Sequence, residues 1–283
     1  MSKFSSYFRL MRPVNCFMIG FAVIVGATIA NSSSLRSSLP NLAYGFTTGF
    51  MLTAASMAIN DYYDREIDAV NEPSRPIPSG AVKPKEALAF ASLLTVTGFV
   101  AAYLTSASCL FTAAVAWLLF VTYTTAGKRS GLPGNFLVSA CVAIPFVYGS
   151  VAIMNEVRLA VMIFAAIAFL SNTGREVTKG IVDVRGDKSA NVKTLAVRYG
   201  ERKAAVAAAV LYLSSVLLSP TPLFLNVVSF WLIPLVTITD IGLVVSSITL
   251  VRDCSASNAR KVKNVVLLWF MIDLLAFFVG ALG

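Results

Sequence analysis

Long apolar runs alternate with short polar segments along the whole chain. A membrane-spanning helix needs about 20 mostly apolar residues, and backbone polar groups in lipid need internal partners. The pattern therefore predicts an all-α fold with about nine transmembrane helices in one bundle. The expected spans are 14–31, 41–62, 86–105, 108–125, 134–152, 158–174, 204–220, 224–250 and 264–282. The eighth run is long and contains Pro234, which predicts a kink there.

Composition points to the same class of protein. Hydrophobic residues make up 57% of the 283 residues and charged residues only 13%, whereas a soluble domain carries about 25% charge. We therefore expect one polytopic membrane domain over residues 1–283, surrounded by membrane lipids.

The basic residues predict the orientation of this domain. Every lysine and arginine except Arg36 and Arg158 lies in the N-terminal tail or in an even-numbered loop. By the positive-inside rule, the tail and these loops are cytoplasmic and the C-terminus is outside. We expect a multi-pass protein of the cell membrane. The net charge of +9 is explained by this topology, and nothing in the sequence indicates a nucleic-acid or protein partner.

The two longest polar segments resemble each other. Residues 61–85 and 175–203 each carry a pair of acidic residues, then a glycine (Gly80 or Gly200) and a basic helix start. This similarity predicts two four-helix repeats plus one additional helix. In parallel repeats the second and sixth spans occupy equivalent positions. Both polar segments therefore lie on the same side of the membrane, where we expect them to form the active-site loops.

The first acidic cluster lies at the end of the second span. Asn60, Asp64 and Asp68 are spaced i, i+4, i+8, with Asp61 close by. Residues four apart share one face of a helix. Clustered carboxylates repel unless a cation lies between them, and Mg²⁺ favours carboxylate oxygens shared with substrate phosphates. A solvated helix end of mixed charge is the alternative interpretation.

The second cluster is a stripe of residues four apart. Arg175 and Lys179 precede Asp183 and Asp187, so each sign of charge has its own half of the stripe. This suits a metal ion at one end and phosphate oxygens at the other. Ordinary i, i+4 ion pairs, worth about 0.3–0.5 kcal/mol each, explain the same spacing.

Further polar residues fall into two groups: basic residues that are candidates for binding phosphate, and residues to which the sequence assigns no role. Membrane topology alone also accounts for the basic ones. The candidates for binding phosphate oxygens are Arg12, Arg75, Lys128, Lys179 and Lys188. Asp240 and Asp273 fall within spans, where carboxylates are costly and suspected of function, but no partner is evident. The four cysteines have no metal spacing, and the absence of histidine excludes histidine-ligated metals.

Together these residues indicate the ionisation of a diphosphate ester. Metal ions neutralise the leaving diphosphate, basic side chains hold its oxygens, and an apolar interior shields the carbocation from water. An allylic prenyl diphosphate fits, with its tail in the bundle and its head at the rim. A transporter or channel also needs many spans, but its site usually lies near the midplane. A purely structural membrane protein leaves both acidic clusters unexplained.

The motifs resemble those of the UbiA-type intramembrane prenyltransferases. Asn60-Asp61-x-x-Asp64-x-x-x-Asp68 is similar to the family's first motif and Asp183-x-x-x-Asp187 to its second, and the similarity covers the whole chain. The resemblance implies catalytic roles for Asp64, Asp68, Asp183 and Asp187. It also implies Mg²⁺ bound by those four residues and Asn60, with the prenyl diphosphate bridging the two loops.

Within this family, the second loop resembles that of archaeal digeranylgeranylglyceryl phosphate synthases. These enzymes transfer a geranylgeranyl group to the hydroxyl of geranylgeranylglyceryl phosphate. Gly180 departs from their pattern, since an acidic residue is expected there. The segment 60–80 is also similar to chlorophyll synthases, so chlorophyllide, a quinone precursor or haem are alternative acceptors. The acceptor is expected to be lipid-like in each case.

Overall fold

The regular structure is entirely helical over residues 3–283, the part of the chain that the computed structural model describes. Two 3₁₀ turns, Ser32–Ser34 and Gly127–Ser130, connect helices. The α-helices are α1 (Lys3–Met11), α2 (Pro13–Ala30), α3 (Leu39–Asn71), α4 (Pro84–Thr105), α5 (Ala107–Thr125), α6 (Leu132–Met154), α7 (Leu159–Val182), α8 (Val184–Ser189), α9 (Leu195–Tyr199), α10 (Glu201–Leu218), α11 (Thr221–Phe224), α12 (Leu232–Arg252) and α13 (Ala256–Leu282).

The protein is a multi-pass membrane protein. Nine helical segments among the described residues are long and apolar enough to cross a membrane, which confirms the all-α prediction. The helix α3 has 33 residues, about 50 Å at 1.5 Å per residue, and exceeds the roughly 30 Å hydrocarbon core. All the charged residues of α3 lie in its last turns, after Asn60, so these turns are the part that projects from the bilayer, and they carry the first acidic cluster.

The helices pack as two similar four-helix units. In the first unit α3 packs against α2 and α4, and α4 packs against α5; in the second, α7 packs against α6 and α10, and α10 against α12. The helix α13 is the additional one and contacts α2, α7 and α12. This order agrees with the predicted repeat, because α3 and α7 hold equivalent positions.

The predicted eighth span differs from the structure. The run 224–250 was expected to form one long helix kinked at Pro234, but α11 ends at Phe224 and α12 begins at Leu232. Pro234 thus lies in the first turn of α12, where the missing N–H costs no helical hydrogen bond. The kink prediction is wrong because a proline at a helix start is not an interior proline.

Gly149 allows the two units to approach each other closely. A Cβ atom at Gly149 of α6 would lie 2.0 Å from the backbone oxygen of Val23 in α2. Backbone at such a distance cannot move aside cheaply. The close approach of α2 and α6 therefore requires glycine at this position, as is common between helices in membranes.

Gly149→Ala should destabilise the bundle by about 1–3 kcal/mol, the usual cost of overpacking. The measurement is the thermal unfolding midpoint of the protein purified in detergent. Ala89→Val, which adds methyl groups at an exposed position of α4, is the control and should leave the midpoint unchanged. An equal midpoint for Gly149→Ala and the wild type would contradict this packing.

Candidate active site

An internal cavity of roughly 300 Å³ runs from the projecting end of α3 into the bundle. Six helices line it (α2, α3, α5, α6, α7 and α13). Asn60 and Thr48 both lie on its wall, roughly 18 Å apart along α3 at 1.5 Å per residue. Charged side chains surround the end near Asn60, and mostly apolar ones such as Trp117 and Phe120 line the rest.

The acidic face of α3 is buried against basic side chains. Asp61, Asp64 and Asp68 are each at most 6% exposed. Asp61 accepts a hydrogen bond from Arg12, which lies between α1 and α2 with φ of 52°. Because Pro13 disfavours a helical conformation for the residue before it, the chain breaks at Arg12 and the side chain turns towards α3.

Arg75 binds two of these carboxylates from the loop after α3. It forms an ion pair with Asp68 and a second with Asp61 at 3.3 Å. Buried Ile77 anchors this proline-rich loop in an apolar cluster that also contains Leu10 of α1. Burial alone would lower the pKa of Arg75, but Asp61 and Asp68 raise that pKa above its ordinary value. Arg75 is therefore a permanent cation at the rim.

Lys128 completes the basic set around α3. It forms an ion pair with Asp64 and lies in the turn Gly127–Ser130 that follows α5. The backbone N–H of Lys193 donates to the carbonyl of Arg129 at 3.2 Å, which ties this turn to the second polar segment. Each aspartate of α3 thus contacts a cation from another part of the chain.

Asp183 and Asp187 lie opposite α3, at the junction of α7 and α8. Burial raises the pKa of Asp187 to about 6, and the negative charge of Asp183 adds to the shift. A Cβ atom at Gly186 would lie 2.3 Å from the Asn71 side chain, so glycine lets α8 reach the end of α3. The two acidic clusters therefore face the same rim.

The residues around the rim suit a metal ion with oxygen ligands. Asn60 Oδ1 is buried and has no hydrogen-bond partner, and the nearby acids supply only oxygen atoms, which Mg²⁺ prefers. Over residues 3–283, no three acidic or cysteine side chains lie close enough together to bind one ion. The carboxylates of α3 contact Arg12, Arg75 and Lys128 instead.

The structure brings most of the candidate residues to one rim. Asn60, Arg12, Arg75 and Lys179 line the cavity, whereas Lys188 is exposed on α8 and is not part of its wall. The ligand and diphosphate-binding roles of all these residues stay predictions.

Sequence reasoning missed three residues at the rim: Asp61, Glu176 and Lys263. Asp61 was noted only as a neighbour of the first cluster, yet it contacts two arginines. Glu176 and Lys263 both line the cavity. Glu176 lies between the basic residues of the second stripe, which was a usable signal, but nothing in the sequence relates Lys263 to that stripe.

The two carboxylates within spans have partners far from the rim. Thr239 donates to Asp273 at 2.5 Å, and Ser219 donates to Asp240 at 2.6 Å. These bonds link α12 to α13 and to the residue that follows α10. A structural role in joining the helices accounts for both aspartates.

Comparisons with protein families, with curated relatives and with solved structures all indicate the same family. Residues 19–274 match the UbiA prenyltransferase family. A digeranylgeranylglyceryl phosphate synthase of Archaeoglobus fulgidus is 37% identical over 277 residues, covering 96% of this chain and 94% of the relative. A solved structure from work on digeranylgeranylglyceryl phosphate synthase in membranes is 32% identical, with a TM-score of 0.75 and coverage of 100% and 99%.

A more distant solved structure shares the fold. It is a UbiA homolog from Archaeoglobus fulgidus bound to GPP and Mg²⁺, and it is 18% identical with a TM-score of 0.65. The alignment covers 98% of this chain and 99% of that one.

Asp61→Asn should destabilise the protein, because Arg12 loses its carboxylate and Arg75 loses one of two. We expect a loss of about 1.5–3 kcal/mol, as for hydrogen bonds to charged groups, measured by thermal unfolding in detergent. The control is Glu66→Gln, which breaks a pair with Arg65 at 3.5 Å; an exposed pair is worth only about 0–1 kcal/mol. Equal midpoints for the two variants would contradict the structural role of Asp61.

Proposed function

We propose that this chain, which belongs to the UbiA prenyltransferase family, transfers a geranylgeranyl group from geranylgeranyl diphosphate to the hydroxyl of geranylgeranylglyceryl phosphate. The acceptor is supported by the relatives, since the Archaeoglobus fulgidus protein that is 37% identical is a digeranylgeranylglyceryl phosphate synthase. The product would be an ether lipid of the archaeal type.

The observation that carries this proposal is the continuity of the cavity. Its charged end lies beside Asn60, and its apolar part extends among α2, α3, α5 and α6. A prenyl diphosphate has the same division, with a strongly anionic head and an apolar tail. Placing the head at the rim therefore puts the tail among side chains such as Trp117 and Phe120.

The acidic residues would hold Mg²⁺ in this site. The ligands would be Asn60, Asp64, Asp68, Asp183 and Asp187, which is supported by the orphaned amide oxygen of Asn60 and by the fold shared with the homolog bound to GPP and Mg²⁺. When bound, the metal ion supplies positive charge that stabilises the leaving diphosphate.

The basic residues would bind the diphosphate oxygens. Arg12, Arg75 and Lys128 already point at the carboxylates of α3, and Lys179 lines the same cavity. Lys188 would approach from α8. Charge-assisted hydrogen bonds from arginine to phosphate oxygens are short and directional, so these side chains orient the head for departure.

The reaction breaks one bond and forms another. The bond between the first prenyl carbon and the diphosphate oxygen breaks, and its electron pair leaves with the diphosphate. The apolar wall excludes water from the resulting allylic cation. The acceptor hydroxyl oxygen then bonds to that carbon and releases its proton.

The rim would face the cytoplasm of a cell membrane. The N-terminal tail and the even-numbered loops carry all the basic residues except Arg36 and Arg158, which supports this orientation by the positive-inside rule. Both water-soluble heads would then reach the site from the cytoplasmic side.

The acceptor is tested with radiolabelled geranylgeranyl diphosphate, Mg²⁺ and purified protein. We expect transfer to geranylgeranylglyceryl phosphate and none to chlorophyllide, a quinone precursor or haem offered in parallel. Transfer to one of these instead would keep the reaction and replace the acceptor. Absence of transfer to all four acceptors, geranylgeranylglyceryl phosphate included, would overturn the proposal.

Asp64→Asn and Asp183→Asn should each lower kcat/KM by about 100-fold or more, because each removes a proposed ligand of the Mg²⁺ whose positive charge stabilises the leaving diphosphate. EDTA should abolish wild-type activity and added Mg²⁺ should restore it. The control is Asp253→Asn at an exposed loop position, which should retain full activity. Near-normal turnover by either rim variant, with the thermal midpoint preserved, would defeat the site assignment.

A further inference from the structure

The two walls of the cavity rim differ in their balance of charge. On the α3 wall three cations face three carboxylates, and every member of the set has a partner of opposite sign. The pairs are Arg12 with Asp61, Arg75 with Asp61 and Asp68, and Lys128 with Asp64. This wall is neutral before any ligand is considered.

The opposite wall, formed by α7 and α13, has a surplus of positive charge. Arg175, Lys179 and Lys263 line the cavity there with one carboxylate, Glu176. Glu176 lies 3.7 Å from Arg175 and 3.4 Å from Lys179. No carboxylate lies within 4.0 Å of the Lys263 amine among the residues described, so one negative charge serves three positive ones.

The nearest further acid does not remove this surplus once the metal site is considered. Asp183 is within electrostatic reach of both Lys179 and Lys263. It is, however, one of the proposed ligands of Mg²⁺, so a bound metal ion would match its charge. Arg260, one turn before Lys263 on α13, is paired with Glu72 at 2.8 Å.

Lys263 is held at the cavity by its neighbour on α7. Arg175 Nε donates a hydrogen bond to the backbone carbonyl of Lys263 at 3.3 Å, which fixes the two basic residues side by side. Lys263 lies in the basic segment at the start of α13, before the apolar part of that helix, and its side chain lines the cavity. The additional helix α13 thus supplies a cation that neither four-helix unit provides.

We propose that Arg175 and Lys263 bind the phosphate group of the acceptor, a phosphate monoester carried on a lipid. This inference rests on the proposed function and adds a second anion site to it. A phosphate monoester carries about −1.5 to −2 at neutral pH, so it would be attracted to Arg175 and Lys263, the cations that this wall retains once Lys179 is assigned to the diphosphate. With the diphosphate bound by Arg12, Arg75, Lys128 and Lys179, the acceptor hydroxyl would enter between the two anions.

The first test is direct binding, with Mg²⁺ but without donor, to the purified protein in detergent. Geranylgeranylglyceryl phosphate is compared with geranylgeranylglycerol, which lacks only the phosphate. Lys263→Met should weaken binding of the phosphorylated lipid about 10-fold or more, as expected for a lost charge-assisted contact. Binding of the phosphate-free lipid should not change, and Lys263→Arg should restore most of the loss.

Lys261→Met is the matched control. It removes the same charge from the same helix, two residues earlier, at an exposed position outside the cavity wall, so it should bind both lipids as the wild type does. An equal loss for Lys263→Met with both lipids would overturn the proposal, because it would show a packing effect. Inorganic phosphate competing as well as the phosphorylated lipid would overturn it too, because the site would then not recognise a lipid.

Steady-state kinetics separate this inference from the proposed function. Lys263→Met should raise the KM for the acceptor about 10-fold or more and leave the KM for geranylgeranyl diphosphate within about twofold. A rise in the donor KM alone would assign the wall to the diphosphate and overturn the inference. Phosphate-dependent binding at Lys263 without any transfer would instead uphold the inference and refute the proposed function.

Discussion

The site depends on burying the acidic end of α3 against cations from other parts of the chain. Asp61, Asp64 and Asp68 share one helix face, and their mutual repulsion in a buried setting is relieved by Arg12, Arg75 and Lys128. Breaking a buried pair by removing one partner is strongly destabilising. These contacts therefore tie α1, the proline-rich loop and the turn after α5 to a single helix end, and the rim forms only when the bundle is complete.

The same arrangement separates two environments that the proposed chemistry requires. Fixed cations and carboxylates at the rim interact strongly because water is limited there, while the cavity behind them is walled by apolar side chains. A bound diphosphate would replace the aspartate oxygens of α3 as the partners of the basic side chains. The apolar wall below would then protect the allylic cation from water. Ionisation needs the charged rim and survival of the cation needs the apolar wall, so the reaction requires both halves of the site.

The repeated architecture also explains why the two walls differ. The helices α3 and α7 hold equivalent positions, but the acids of α3 lie within the helix, whereas α7 ends at Val182 and its acids lie at the junction with α8. The helix α13 has no counterpart in the repeat and packs against α2 and α7. It places Lys263 beside Arg175, so the additional helix makes one wall more positive than the other.

Periodicity and composition were enough to determine the all-α membrane class, the number of spans and the acidic face of α3, because apolar length and i, i+4 spacing act locally. Helix ends near proline were less predictable, as Pro234 shows. The sequence alone does not distinguish a proline in the first turn of a helix from one in the helix interior. The pairing of Asp61 with two arginines and the approach of Lys263 to Arg175 join residues far apart in the sequence. Only tertiary packing decides such contacts, because several basic residues were equally available to each acid until the helices were assembled.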